Sequence, residues 1–160
     1  MTAEPDDSPA DFSALQGRAM DTDGIEQLLR ERGIGVLSLA ADGTPYGIPM
    51  SFGYDSEDGD HRLYTLFAGH SEDGRKVRYA EQSEVASFLT FDVDSDGGWR
   101  SVIVNGAFER ITPDDWETAR EAMADNAYRP QLLTNTNVQE DPRVWMLDIE
   151  EMAGRAIGQA

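Results

Sequence analysis

The sequence predicts a mainly β protein, an antiparallel sheet of six strands rolled into a small barrel with flanking helices outside. Two observations carry this reading. Strand-like runs follow one another directly, separated by Asp-Gly turns such as Asp42–Gly43, where an α/β protein would alternate strand with helix. Six strands in a chain of 160 residues, left as a flat sheet, would expose two long edges that a barrel removes.

Residues 1–18 are acidic, hold Ser, Pro and Gly, and lack periodicity; they read as a mobile arm before a single domain over 19–160. "DTDGIEQLLRERG" predicts a short helix. Asp21 to Asp23 offer N-cap oxygens, Ile25, Leu28 and Leu29 form one apolar stripe, and Gly33 supplies a stop. "IGVLSLAADGTPYGIPMSFGYD" follows as a hairpin, and "SEDGDHR" turns the chain into the strand "LYTLFAG". Val77 and Tyr79 to Ala80 suggest a brief helix, and "EVASFLTFDV" is a fourth strand. "DSDGG" leads into "WRSVIVNGAFERI", a long strand with Gly106 as a bulge or bend. "TPDDWETAREAMADNA" is the clearest helix: Thr112 caps it, Pro113 occupies its first turn, and Asp114 and Asp115 complement its dipole. Residues 128–142 form a polar connection, and "RVWMLDIEEMAGRAIG" is the closing strand.

The formal net charge is −18. Such a surface repels nucleic-acid phosphates and anionic lipids, so neither is an expected partner. Acidic residues with lysine nearly absent are what a cytosolic protein of a salt-accumulating organism, such as a haloarchaeon, carries. There a Debye length of about 3 Å at 1 M salt relieves the self-repulsion. No apolar run approaches the length of a membrane span, and "MTAEPDDSPAD" has no signal-peptide character, so the expected location is the cytoplasm. The absence of cysteine rules out disulfides, thiolate metal sites and a cysteine nucleophile. His61 and His70 stand in polar turns, and no zinc-helix, EF-hand, nucleophile-elbow, Walker or dinucleotide motif is present. No metal site is expected.

Against that background "GHSEDGRKVRY" stands out, because it holds the chain's single lysine, Lys76, between Arg75 and Arg78. Two guanidinium groups and an ammonium can grip a phosphate, helped by free N–H groups if a helix starts near 71–74. Equally, these cations can pair with neighbouring acids. Pro49, inside "YGIPMSFGY", marks either a strand edge or a place where a flat ligand meets the backbone, with Met50 and Ser51 beside it. Ser101, in "WRSVIVNG", is a weaker candidate for the same kind of contact.

The succession "GVLSLAADGTPYGIPMSF", "LYTLFAGHSEDGRKV", "EVASFLTF", "SVIVNGAFERI" and "EEMAGR" resembles the pyridoxamine 5′-phosphate oxidase-like, flavin-binding split-barrel family, from about Gly33 to Arg155. The resemblance implies a six-stranded Greek-key split β-barrel that forms a homodimer, with FMN in clefts between the subunits. It implies that Arg75 and Lys76 hold the FMN phosphate. Ile48, Pro49, Met50, Ser51 and Phe52 would line the isoalloxazine ring, and Tyr64 and Thr65 would add flavin contacts. Ser101 and Val102 would face the phosphate side, and Trp145 would reach the cofactor from the partner subunit. The arginine–histidine substrate motif of the true oxidase is missing from "GRAIGQA", and Leu66 stands where nitroimidazole-reducing relatives carry a histidine. The implied activity is therefore an FMN-dependent oxidoreductase with a small-molecule acceptor and no named catalytic side chain. A non-catalytic flavin carrier, a reductase using the deazaflavin F420, and an interaction domain without cofactor stay open beside it.

Overall fold

The turn between the first two long strands is built by Asp42 and Gly43, at φ 52° and 77°, the left-handed pair that a two-residue hairpin requires. In the computed structural model, which describes residues 13–57, 59–67, 74–128 and 143–158, this hairpin joins β2 (Ile34–Ala41) to β3 (Thr44–Ser51). The other strands are β1 (Arg18–Ala19), β4 (Gly53–Glu57), β5 (Asp60–Leu66), β6 (Val85–Val93), β7 (Trp99–Arg110) and β8 (Val144–Ile157). The helices are α1 (Thr22–Glu31), α2 (Arg75–Gln82) and α3 (Trp116–Asn126). Among the described residues no helix is long and apolar enough to cross a membrane.

Every strand pair is antiparallel, in the order β3-β2-β6-β7-β8-β5-β4, with β1 beside β8. The two ends of this order are one stretch of chain, because β3 runs into β4 through Phe52 alone. Counted as one bent strand, with the two-residue β1 set aside, they recover the six strands that the sequence predicts, although the described residues form eight separate segments. The ring is completed covalently. Among the described residues β3 pairs only with β2 and β4 only with β5, so the hydrogen-bonded sheet itself is not closed. This is the split-barrel arrangement.

The bend has a local cause. A Cβ on Gly53 would collide with the α3 backbone at Ala122 and Met123, so glycine is what lets the helix press onto the strand. Asn126, at the end of α3, then ties three elements together. Its Oδ1 accepts from the Tyr54 N–H at 2.8 Å, and its Nδ2 donates to the carbonyls of Leu29 and Arg32 at 2.9 Å. Gly33 lies under the same helix end, where a side chain would meet the Asn126 carbonyl; that close approach, not a left-handed helix cap, is its role. The bulge falls between Asn105 and Gly106, as the sequence suggests.

Asp21 caps α1, its Oδ1 accepting from the Gly24 N–H at 2.8 Å, and Ile25, Leu28 and Leu29 are buried. They join Leu37, Leu39, Ile48, Met50, Phe52, Phe88, Val102, Val104 and Leu147 in the barrel core, where each large side chain contributes about 1.5–3 kcal/mol. A second apolar cluster packs Trp116, Ala119, Ala122 and Met123 of α3 against Tyr64, Val144 and Met146. Thr112 and Pro113–Asp115 form a short 3-10 turn ahead of α3, so the α-helix itself starts later than the sequence suggests. Of the stretch read as an arm, Ser13–Gln16 forms a 3-10 turn and Arg18–Ala19 forms β1. Residues 1–12, His70 and 129–142 lie outside the described residues.

Candidate functional site

The helix α2 lies on the barrel by one face. Val77, Tyr79 and Ala80 are buried, which leaves Arg75, Lys76 and Arg78 exposed on the other. Its end is fixed by Ser83, 5% exposed, where β2 outruns its pairing with β6. The Ser83 hydroxyl lies 2.9 Å from the Ala40 carbonyl and 2.7 Å from that of Tyr79, and it accepts from the Ala40 N–H at 3.1 Å. The backbone groups of Ala40 are thereby satisfied and α2 is anchored to the sheet.

Among the described residues, Arg75, Lys76 and Arg78 form no ion pair, whereas Arg30, Arg32, Arg62, Arg100, Arg110 and Arg120 each have a carboxylate within 4.0 Å. The pairing with neighbouring acids that the sequence left open is thus not seen there. The Arg75 guanidinium instead lies over the ring of Tyr46, 5.3 Å from its centroid, and Tyr46 packs against Tyr79 at 4.8 Å.

Beside this helix runs the free edge of β3. Ala41 and Thr44 flank a two-residue turn and so exchange both backbone bonds. Alternation then directs the backbone groups of Thr44, Tyr46, Ile48 and Met50 toward β2, and those of Pro45, Gly47, Pro49 and Ser51 away from it. The bond from the Phe52 N–H to the Gly33 carbonyl, 3.1 Å, continues the first set. Both prolines therefore sit where a missing N–H costs no ladder bond. The edge keeps two donors, from Gly47 and Ser51, and four carbonyls.

Two buried polar atoms at this end lack a hydrogen-bond partner among the described residues: Thr65 Oγ1 and Trp145 Nε1, on residues that face each other across β5 and β8. Trp145 is 5% exposed, held between Phe108 at 5.1 Å and Phe67 at 5.7 Å, with the Arg110 guanidinium 5.4 Å from its centroid. Arg110 in turn meets Glu81 of α2 at 4.0 Å, which links the tryptophan to the helix.

The residues singled out in the sequence are therefore not all together. Arg75, Lys76, Thr65, Trp145 and the exposed Pro49 belong to the α2 end and the adjoining edge. Ile48, Met50 and Phe52 point into the barrel core, because alternate residues of a strand face opposite sides. The Ser51 hydroxyl donates to the Tyr128 carbonyl at 2.7 Å. Tyr64 is sealed beneath α3, and burial raises the pKa of its phenol. Trp145 is a core residue of this chain. Val102 is fully buried, and Ser101 sits six positions along β7 from Ala107, the partner of Val85 at the start of β6. At about 3.3 Å per residue that is about 20 Å, so one chain does not bring Ser101 to Arg75. Tyr46, Tyr79 and Arg110 were not singled out as contact residues in the sequence; only the period-2 placement of Tyr46 with Ile48 and Met50 hinted at its face.

The marked ionisation shifts elsewhere belong to structural networks. Tyr54 is raised by burial and by its hydrogen bond to Glu26, 3.0 Å away, within a cluster that includes His61 at 2.6 Å. Glu31 is lowered by hydrogen bonds from Gln27 and Arg100, and Asp92 by the bond from Arg100. Beside these lies a polar cavity of about 540 Å³, lined in part by Arg18, Asp21, Gln27, Glu31 and Arg100. Its charged groups are engaged, Arg100 with Glu31 at 3.0 Å and Arg18 with the Gly158 carbonyl at 2.7 Å.

No curated protein matches the chain. Solved structures do. A FAD-binding protein from Mesorhizobium loti superposes with a TM-score of 0.62 at 19% identity, over 88% of this chain and 98% of that one. A FAD-binding protein from Mycobacterium smegmatis gives 0.61 at 18% identity, over 87% and 97%. A conserved protein of unknown function from Corynebacterium diphtheriae gives 0.65 at 18%, over 89% and 99%. Likeness at these identities speaks to the fold, and it agrees with the split barrel described above. The family model described as pyridoxamine 5′-phosphate oxidase matches residues 21–156, nearly the whole of that barrel, and the chain belongs to this family.

Proposed function

We propose that the α2 end binds FMN and that the protein is a flavin-dependent oxidoreductase for a small-molecule acceptor. The observation that carries this is the cluster of three exposed cations on one helix, without carboxylate partners among the described residues, in a chain of net charge −18. The residues present fit a flavin. Arg75 and Lys76 would hold the phosphate through charge-assisted bonds. The donors and carbonyls of the β3 edge match the mixed polar rim of an isoalloxazine ring, and Thr65 Oγ1 and Trp145 Nε1 have bonding capacity left. Binding of FAD by two of the structural relatives supports a flavin of some kind.

A bound flavin supplies reversible hydride and electron transfer. The chain's own part in this reading is to bind and orient the flavin. Purified protein should be yellow and release FMN on denaturation. A colourless preparation that ignores added FMN overturns the reading, and the spectrum of any bound chromophore separates a flavin from the deazaflavin F420.

The same proposal includes a homodimer. Val85, Phe91, Val93 and Ile103 project from the outer face of β6 and β7, at 63%, 51%, 62% and 44% exposure, an apolar patch suited to a second copy. A role for Ser101 at the cofactor then requires that copy, given its distance from α2. Replacing Phe91 and Ile103 by Asp should yield a monomer by sedimentation; an unchanged mass argues against this face as the interface.

A further inference from the structure

We infer that Tyr46 is a positioning residue for the phosphate site: its ring is the shelf that orients the Arg75 guanidinium. The inference deepens the FMN reading and rests on it. An arginine that must bind an incoming anion faces a conflict, because a long side chain is entropically costly to hold still. A carboxylate partner would hold it, yet would also occupy its donors and cancel its charge. Stacking on an aromatic face fixes the plane of the guanidinium while leaving its N–H donors, which lie in that plane, free.

Arg75 has such a ring beneath it. Its guanidinium lies 5.3 Å from the Tyr46 centroid, and it forms no ion pair among the described residues. The shelf is itself fixed. Tyr46 lies on β3, whose register with β2 is set by the Asp42–Gly43 turn, and its ring packs at 4.8 Å against Tyr79, 7% exposed on the buried face of α2. Tyr79 belongs to the same helix as Arg75, so strand, shelf and cation are held as one unit. The interaction requires the ring face of Tyr46 and not its hydroxyl.

The test compares FMN with riboflavin, which lacks the phosphate, using titration of full-length protein at one fixed salt concentration. The ratio of their affinities reports the phosphate contacts alone and is insensitive to general loosening of the fold. Tyr46→Phe should keep the wild-type ratio. Tyr46→Leu, which keeps apolar bulk but loses the ring, should lower FMN affinity about 2- to 5-fold and leave riboflavin affinity unchanged. Arg75→Ala should lower the ratio at least as far, and the double variant Tyr46→Leu/Arg75→Ala no further than Arg75→Ala. If Tyr46→Leu retains the wild-type ratio while Arg75→Ala lowers it, the shelf is overturned and the phosphate site stands. If Arg75→Ala also retains the ratio, the phosphate site itself is overturned. Equal loss in the Phe and Leu variants would assign the effect to the hydroxyl and overturn the shelf.

Discussion

Two groups of basic residues in this chain have opposite surroundings. Arg100, at the start of β7, is only 14% exposed in its side chain and contacts Glu31 at 3.0 Å and Asp92 at 2.9 Å, while Arg32 reaches Asp92 at 3.6 Å. Arg75 and Lys76, at the start of α2, are exposed and without carboxylate partners among the described residues. What sets Arg75, Lys76 and Arg78 apart is that they stand together on the exposed face of one helix. On the flavin reading proposed above, the difference separates charge that serves the fold from charge that serves a ligand.

The largest expected effect tests the second group. Arg75→Ala and Lys76→Ala should each cost about 1.5–3 kcal/mol of FMN binding, measured by titration, with the melting temperature of the ligand-free protein unchanged. Loss of stability without loss of affinity would erase the distinction. Next, Arg100→Met should lower folding stability by about 1 kcal/mol in chemical denaturation and leave FMN affinity as it was. A matching loss of affinity would place Arg100 in the ligand site and collapse the comparison from the other side.

A smaller effect sharpens it through pH. Glu31 and Asp92 are held below their ordinary values of 4.5 and 3.8, Glu31 by the bonds from Gln27 and Arg100 and Asp92 by that from Arg100. Because the unfolded chain takes up these protons first, the stabilisation is complete above those values and is lost as pH falls below them. The wild-type protein should lose stability on acidification through this range, and Arg100→Met should lose less. Equal slopes would show that the network does not contribute.

Much of the barrel was legible because its determinants are local. The Asp42–Gly43 turn fixes one hairpin, the cap at Asp21 and the stripe Ile25–Leu28–Leu29 specify α1, and Gly106 marks the bulge. The break at Phe52 was not legible, since it depends on α3 pressing against Gly53 from a distant part of the chain. The site divided along the same line. The cations of α2 declared themselves by rarity. Ile48 to Phe52 were singled out as a run, although a strand turns successive side chains to opposite sides, so the core ones were swept in with Pro49 and Ser51. The burial of Trp145 was not legible, because "VWML" is buried on both faces, toward the barrel and toward α3, and no alternation survives to tell them apart.

The covalent junction at Phe52 also bears on how the molecule assembles. A barrel sealed by a ladder between distant strands must pay the entropy of a long loop to make its last seam. Here the two strands flanking the gap, β3 and β4, are neighbours in the chain and each belongs to a short hairpin, with β2 and with β5. The seam therefore exists in the unfolded polypeptide, and the search reduces to docking those hairpins onto β6 and β8. Cutting the backbone at Phe52 would spare every strand ladder and still turn the ring into a ribbon.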